Sequence, residues 1–311
     1  VSLTQTPLQM GIALTVLGVF SAIYHPVGIP MLVQKAKKPG FTIGVNGLAG
    51  NLGIALAALS TGFLVAWQGW RMAFIVPGLV SIACGFVFAW SAPQEGGAPA
   101  KKKSNSVQLP KNVAWRTFAV MVATATTTSV LFNITTNGNA QLLAERLDGL
   151  VNDPARLGML LAAIYAVASL AQLVVGRLLD WFPVKPLFFC VLVLQIVAFG
   201  VASQTSGWLW YVAAIGYMVM VFGAIPFSDT MVVRYIDDAM RSRVSGTRIA
   251  ISFGFSSIAV YMLGPVVKVA GFTQLMMALT CVAALGALIV LFLPNEAEMN
   301  AHLQSGSGKS L

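Results

Sequence analysis

The chain has 311 residues, of which 57% are hydrophobic and only 9% charged, and its mean hydropathy is +0.81. A soluble domain of that length carries about a quarter charged residues, so the composition excludes a water-soluble fold and indicates a polytopic membrane protein. The net charge of +9 does not call for nucleic acid as a partner, because the charges cluster between apolar runs and almost none lie inside them.

A membrane-crossing helix needs about 20 apolar residues. Nine segments supply them: 8–33, 41–66, 71–91, 113–137, 155–178, 186–203, 207–229, 246–268 and 272–293. The expected fold is an all-α, polytopic membrane helix bundle with the lipid bilayer as its solvent. Its expected organisation is a three-helix bundle over 1–91, a charged flexible linker over 92–112 (SAPQEGGAPAKKKSNSVQLPK), a six-helix bundle over 113–294 and a polar tail over 295–311. With nine spans, Arg71, Arg146, Arg156 and Lys268 fall on one side of the membrane and every other Lys and Arg on the opposite side. That bias predicts an inner (plasma) membrane protein of bacterial type, with the KAKK, KKK and RSR clusters and the C-terminus cytoplasmic.

The first segment contains GVFSAIYHPVGIP (18–30). His25 is a candidate for proton coupling, with a structural histidine bonded to a neighbouring helix as the alternative. Pro26 and Pro30 leave carbonyls without donors one turn earlier and predict a bend. In the second segment Gly44, Gly47, Gly50 and Gly53 recur every three residues, a small-residue surface for close helix approach. Asn46 and Asn51 lie beside it.

The fourth segment is the most polar, TATTTSVLFNITTNGNAQ (124–141). Polar side chains inside a membrane are costly and mark functional sites by default. Asn133, Thr136, Asn137 and Gln141 recur at helical spacing and are candidate substrate contacts. Tyr165, Gln172 and Tyr217 are further candidates, Gly138 a candidate bend, and Thr126 to Thr128 are expected to bond back to their own helix. Carboxylates are scarce: Asp229, at the end of the seventh segment, and Arg234 are the remaining coupling candidates, expected to pair with one another or to snorkel. Cys84, Cys190 and Cys281 are expected as small core residues, without metal-ligand spacing. No metal, cofactor or catalytic constellation is read from the chain: it has no HExxH and no clustered His/Cys ligands.

The sequence also repeats. VFSAI begins at Val19 and VFGAI at Val221, 202 positions later; at the same offset Gly44 falls on Gly246, Gly62 on Gly264 and Gly69 on Gly271. The first three spans thus read as a parallel copy of the last three, the kind of repeat found in carriers built from two six-helix halves. Copies of spans four to six would then precede the first span. On that expectation the chain corresponds to helices four to twelve of a twelve-helix fold and does not transport alone; a nine-helix protein is the alternative.

The loop GRLLDWFPVKP (176–186) resembles the cytoplasmic loop signature of the major facilitator superfamily, a Gly, an Asp four later and basic residues. Gly176, Asp180 and Lys185 match, while Pro183 stands where a second glycine is usual. The spacing from Gly44 to Gly62 is similar to the family's fifth-helix antiporter motif, with Ala57-Ala58 in place of Gly-Pro, and Leu14 stands about where many proton antiporters carry an arginine, two departures that speak against drug–proton antiport. The His25-Pro26 helix followed by GNLGIALA looks somewhat like fosmidomycin-resistance-type efflux members.

The resemblance implies a secondary carrier that moves a small organic solute by alternating access, with protons as a candidate coupling ion, rather than an enzyme. Asp180 is expected to pair with Arg248 or cap the helix beginning near Gly246, so that Gly176, Asp180, Lys185 and Arg248 act as a gating group. A transport-inactive fragment, a carrier-like sensor and, more remotely, a membrane-embedded enzyme are the alternatives.

Overall fold

The computed structural model describes residues 1–34, 36–91, 111–236 and 238–295. Most of the expected linker and the tail beyond residue 295 lie outside the described residues. Within them every regular element is a helix: α1 (Pro7–Ser21), α2 (Tyr24–Val33), α3 (Pro39–Gln68), α4 (Met72–Ser91), α5 (Lys111–Arg146), α6 (Pro154–Trp181), α7 (Val184–Gln204), α8 (Gly207–Tyr235) and α9 (Asp238–Val290). Helices are the expected solution, because lipid offers no partner to a backbone N–H or C=O and each must be satisfied within its own segment. Eight stretches are long and apolar enough to cross a membrane, the first combining α1 and α2 and the last running from Met240 to Val290.

Two interruptions follow directly from residue chemistry. Pro26 has no N–H, so the carbonyl of Ala22 has no donor one turn ahead, and the chain leaves the helix at Ala22–Ile23 between α1 and α2. In α9, Gly271 takes φ +80° and ψ 170°, which splits the 53-residue run into two limbs. Gly69, between α3 and α4, has φ +85°. The two glycines paired by the 202-residue offset therefore share the left-handed backbone that a Cβ disfavours.

Three boundaries bear on the site, the first being the start of α9 at Asp238, eight residues before the expected 246. α5 continues nine residues past 137 to Arg146, and Gly138 does not bend it. Gly138 is buried with Leu263 beside it, at 3.6 Å from where a Cβ would stand. α8 likewise runs through 230–235, which the hydropathy pattern left as a connection.

The described residues pack as two units, one made of 1–25 and 53–91, the other of 26–52 and the residues from 111 onward. In the first, α1 is opened by a capping box, Thr6 Oγ1 accepting from Gln9 N while the Gln9 side chain returns to the Thr6 backbone. Arg71 donates to the carbonyls of Ser2 and Thr4 at 3.1 and 3.3 Å. Neither α1 nor α4 has a buried residue.

In the second unit α5 packs on α9, α6 and α7 pack on α8, and α7 also packs on α9. Two apolar cores form, one toward each end of these helices. Phe199, Trp210, Tyr217, Phe222 and Phe272 anchor the first; Phe188, Phe227, Met121 and Met231 anchor the second. Aromatic faces join the helices: Phe188 stacks on Phe227 at 4.4 Å between centroids, and Phe199 on Tyr217 at 4.9 Å. The three cysteines, expected inside, are all exposed. In a bilayer an apolar surface satisfies a thiol as well as a core does.

Candidate functional site

The first cluster lies where α3 begins. Gly40, Gly44 and Gly176 bring two backbones into contact: a Cβ on Gly40 would stand 2.5 Å from the Gly176 carbonyl, and one on Gly176 would stand 2.6 Å from the Gly40 carbonyl. Only residues without a side chain allow this approach. Asp180, one turn beyond Gly176, receives two backbone N–H bonds, Gly40 to Oδ1 and Phe41 to Oδ2, both 2.8 Å. The carboxylate thus caps the N-terminus of α3, where free N–H groups and the helix dipole favour negative charge. Arg177 lies over the Phe41 ring at 5.1 Å. The expected partners of Asp180, Arg248 or the helix near Gly246, are therefore wrong; the cap is made 140 residues away in sequence. Lys185 sits in the first turn of α7 and makes no ion pair among the described residues. Pro183 precedes α7 with φ −61° and ψ 143°, a conformation that needs no glycine.

Gln172, one turn before Gly176, is 1% exposed and lies over Gly47, whose missing side chain leaves room for the amide. Both Gln172 amide atoms are buried without a hydrogen-bond partner, and so is Asn51 Nδ2. Gln172 and Asn51 are thus enclosed in this structure, while Asn46 is half-buried.

The second cluster is the ion pair. Arg248 Nη2 donates to Asp229 Oδ1 at 2.6 Å, and both side chains are buried. Arg248 therefore takes the place expected of Arg234, which instead donates to the Leu179 carbonyl. α8 runs on to Tyr235 and α9 begins at Asp238, so Arg248, nearly three turns into α9, comes back alongside Asp229.

The third cluster is the polar face of α5. Asn133 is half-buried, Asn137 and Gln141 are exposed, and Thr136 is half-buried. Asn133 Nδ2 donates to Ser129 O at 2.9 Å, Asn137 Nδ2 to Asn133 O at 2.8 Å and Thr136 Oγ1 to Phe132 O at 2.7 Å. Tyr165 joins from α6, its hydroxyl donating to Thr136 O at 3.3 Å, with its ring stacked on Phe222. Tyr217 is not on an open face. It is fully buried and donates to Asn139 Oδ1 at 2.8 Å, so it belongs to the core. His25 is exposed at the start of α2, its ring edge-on to Tyr24.

Sequence reasoning missed three participants. Asn139 bonds Tyr217, Ser256 donates to Ser129 Oγ at 2.8 Å, and Ser252 lies 3.3 Å from Thr126 Oγ1. Ser252 and Ser256 follow Arg248 at spacings of four on α9, a signal that was available but looked like ordinary small-residue content. Among the described residues no group of His, Cys, Asp and Glu is arranged to hold a metal ion.

A family model described as Major Facilitator Superfamily matches residues 1–149. Comparison with curated proteins gives no match. The E. coli fucose:proton symporter FucP superposes with a TM-score of 0.61 at 8% identity, over 87% of this chain and 73% of its own. The proton:xylose symporter XylE, bound to 6-bromo-6-deoxy-D-glucose, superposes with a TM-score of 0.62 at 16% identity, over 90% of this chain and 70% of its own. The chain has the major facilitator fold. Both solved structures are of proton symporters, and eight stretches of the described residues here are long and apolar enough to cross a membrane.

Proposed function

We propose that the chain is a secondary active transporter, or the larger part of one, moving a small organic solute by alternating access. The observation that carries this is the Asp180 cap on α3, set beside backbone contact at Gly40, Gly44 and Gly176. A carboxylate holding two N–H groups across a glycine seam is a contact that can be made and broken without repacking a core. It therefore suits a molecule that must occupy two arrangements. Gly176, Asp180 and Lys185 act as the gating group, α5 carries the substrate-facing polar residues, and the Asp229–Arg248 pair is the coupling element for a proton. On this reading α1 to α4 occupy the places of helices four to six in a twelve-helix fold, and α5 to α9 those of helices seven to twelve.

Counterflow in proteoliposomes, with the protein expressed from its whole gene, tests the reading. Exchange of at least one labelled solute from a broad panel of sugars, polyols, amino acids and drugs is expected, and it slows when Asp180 is changed to Asn. No exchange for any solute, with purified protein that stays monodisperse, overturns it in favour of a carrier-like sensor.

A further inference from the structure

Two turns that the 202-residue offset pairs are each held by an arginine, and the two arginines come from different places. In the first unit Arg71 follows Gly69 by two residues. One edge of its guanidinium, Nε and Nη2, donates to the carbonyls of Ser2 and Thr4 at 3.1 and 3.3 Å. The turn between α3 and α4 is thereby tied to the segment that leads into α1.

At the same offset Gly69 falls on Gly271, Leu3 on Thr205 and Arg71 on Thr273. The second unit thus has the same left-handed turn and the same leading segment, but a threonine in the arginine's place. A threonine side chain ends at Oγ1, where an arginine's Cγ would be. A guanidinium is there nonetheless. Arg146, the last residue of α5, donates from Nη2 to Thr273 Oγ1 at 2.7 Å and, at a longer 3.4 Å, from Nη1 to Thr205 O. It meets the residue that replaces Arg71 and the carbonyl that stands where Leu3 does, between the two that Arg71 binds.

The residue type follows from the place. Carbonyls past a helix end have no donor in the helix, and a guanidinium offers several N–H groups in a rigid fork without losing its charge. Arg71, Arg146, Arg156 and Lys268 are the basic residues of the charge-poor side. Positive charge is selected against on that side, so each one kept there calls for a local reason. Arg156 faces Asp153 at 3.9 Å; Arg71 and Arg146 hold the two joints.

We propose that Arg146 is a latch moved from the turn to α5, and that the move adds a third element to the joint. In the first unit the latch joins two connections. In the second it also fastens the last turns of α5 to the α7–α8 connection and to the second limb of α9. α5 is then one straight piece through Gly138 to Arg146, and its end moves with α7 and α9 rather than bending away from them.

Hydrogen exchange of the purified full-length protein, read by mass spectrometry, tests this. Arg146→Ala is expected to speed exchange about 10-fold at residues 140–147 of α5 and about 3-fold at 200–204 of α7, following the shorter and the longer bond. Residues 188–196 of α7 stay unchanged. Adding Thr273→Arg returns the arginine to the place it holds in the first unit. Protection is expected to recover at 200–204 but not at 140–147, because α5 is no longer fastened. Unchanged exchange in Arg146→Ala overturns the proposal, as does a double variant that recovers neither segment, or both. If Arg146→Ala is not obtained monodisperse, Thr273→Ala removes the 2.7 Å acceptor and leaves every charge in place. It is expected to speed exchange at 140–147 alike, and no rise there overturns the proposal. In the first unit, Arg71→Thr copies the second unit's residue and is expected to speed exchange at 9–12 of α1 while 140–147 stays as it was; unchanged exchange at 9–12 overturns the pairing of the two joints.

Discussion

α4 and α7 are nearly equal in mean hydropathy, 2.2 and 2.3 over their most apolar windows, yet they lead opposite lives. α4 has no buried residue, and Phe86, Phe88 and Trp90 stand 73%, 69% and 90% exposed. α7 buries Phe188, Leu192, Gln195 and Phe199 almost completely and adds to both cores. The difference teaches that hydropathy sets whether a segment enters lipid, not whether it packs against protein. Lipid tails are as apolar as leucine, so association in a membrane comes from shape and from polar contacts. α7 has partners in shape, packing on α8 and α9 with Phe188 stacked on Phe227 and Phe199 on Tyr217, whereas among the described residues α4 buries no side chain fully.

The sharpest way to break the comparison is to make the same cut in both regions. Phe222→Ala removes a ring fully buried against Phe132 and Tyr165 and is expected to cost about 3–5 kcal/mol. Phe88→Ala is expected to stay within about 0.5 kcal/mol. Melting of the two purified variants decides it; equal losses would mean that α4 packs as α7 does.

The Asp229–Arg248 pair gives the next largest effect. Replacing Asp229 by Ala leaves a buried guanidinium without its partner, for about 3 kcal/mol, while the double change Asp229→Leu with Arg248→Met recovers most of it. A double variant as unstable as the single would show that the pair is not the source. Smaller still, Gly271→Ala forces a Cβ into φ +80° and is expected to cost about 1–2 kcal/mol. Gly69→Ala should match it if the paired turns are equivalent, and a two-fold disagreement in melting shift would separate them. Smallest is Asp180→Ala, about 1 kcal/mol for the lost cap. Its clearer readout is faster alkylation of a cysteine placed at Phe41, and an unchanged rate would remove Asp180 from the gating group.

Much of the architecture was legible because crossing a membrane demands long apolar runs, and those stand out against charge clusters. Gly176 and Asp180 were legible as a pair through the resemblance of GRLLDWFPVKP to a family loop signature. Their partner was not. Gly40 and Phe41 use backbone N–H groups, which every residue has, so no residue type betrays the contact. Burial was equally hidden. A helix with lipid on one side and protein on the other is apolar on both, and the period that marks a buried face in water is lost. Tyr217 therefore read like Tyr165, though one is sealed against Asn139 and the other reaches the polar face of α5. Arg248 was misassigned because the ends of α8 and α9 were set by hydropathy, and both helices run beyond their apolar stretches.

The amide of Gln172 has a consequence of a different kind. Its two polar atoms are sealed beneath α3 with no partner, and a group so stripped of water raises the free energy of that arrangement by about 1–3 kcal/mol. Asp180 at the same seam lowers it by about 1 kcal/mol. Two terms of similar size and opposite sign leave the seam close to balance: parting it would return water to Gln172 while releasing two N–H groups from Asp180. Under the alternating access proposed above, a seam so evenly poised can be tipped by a ligand of ordinary affinity.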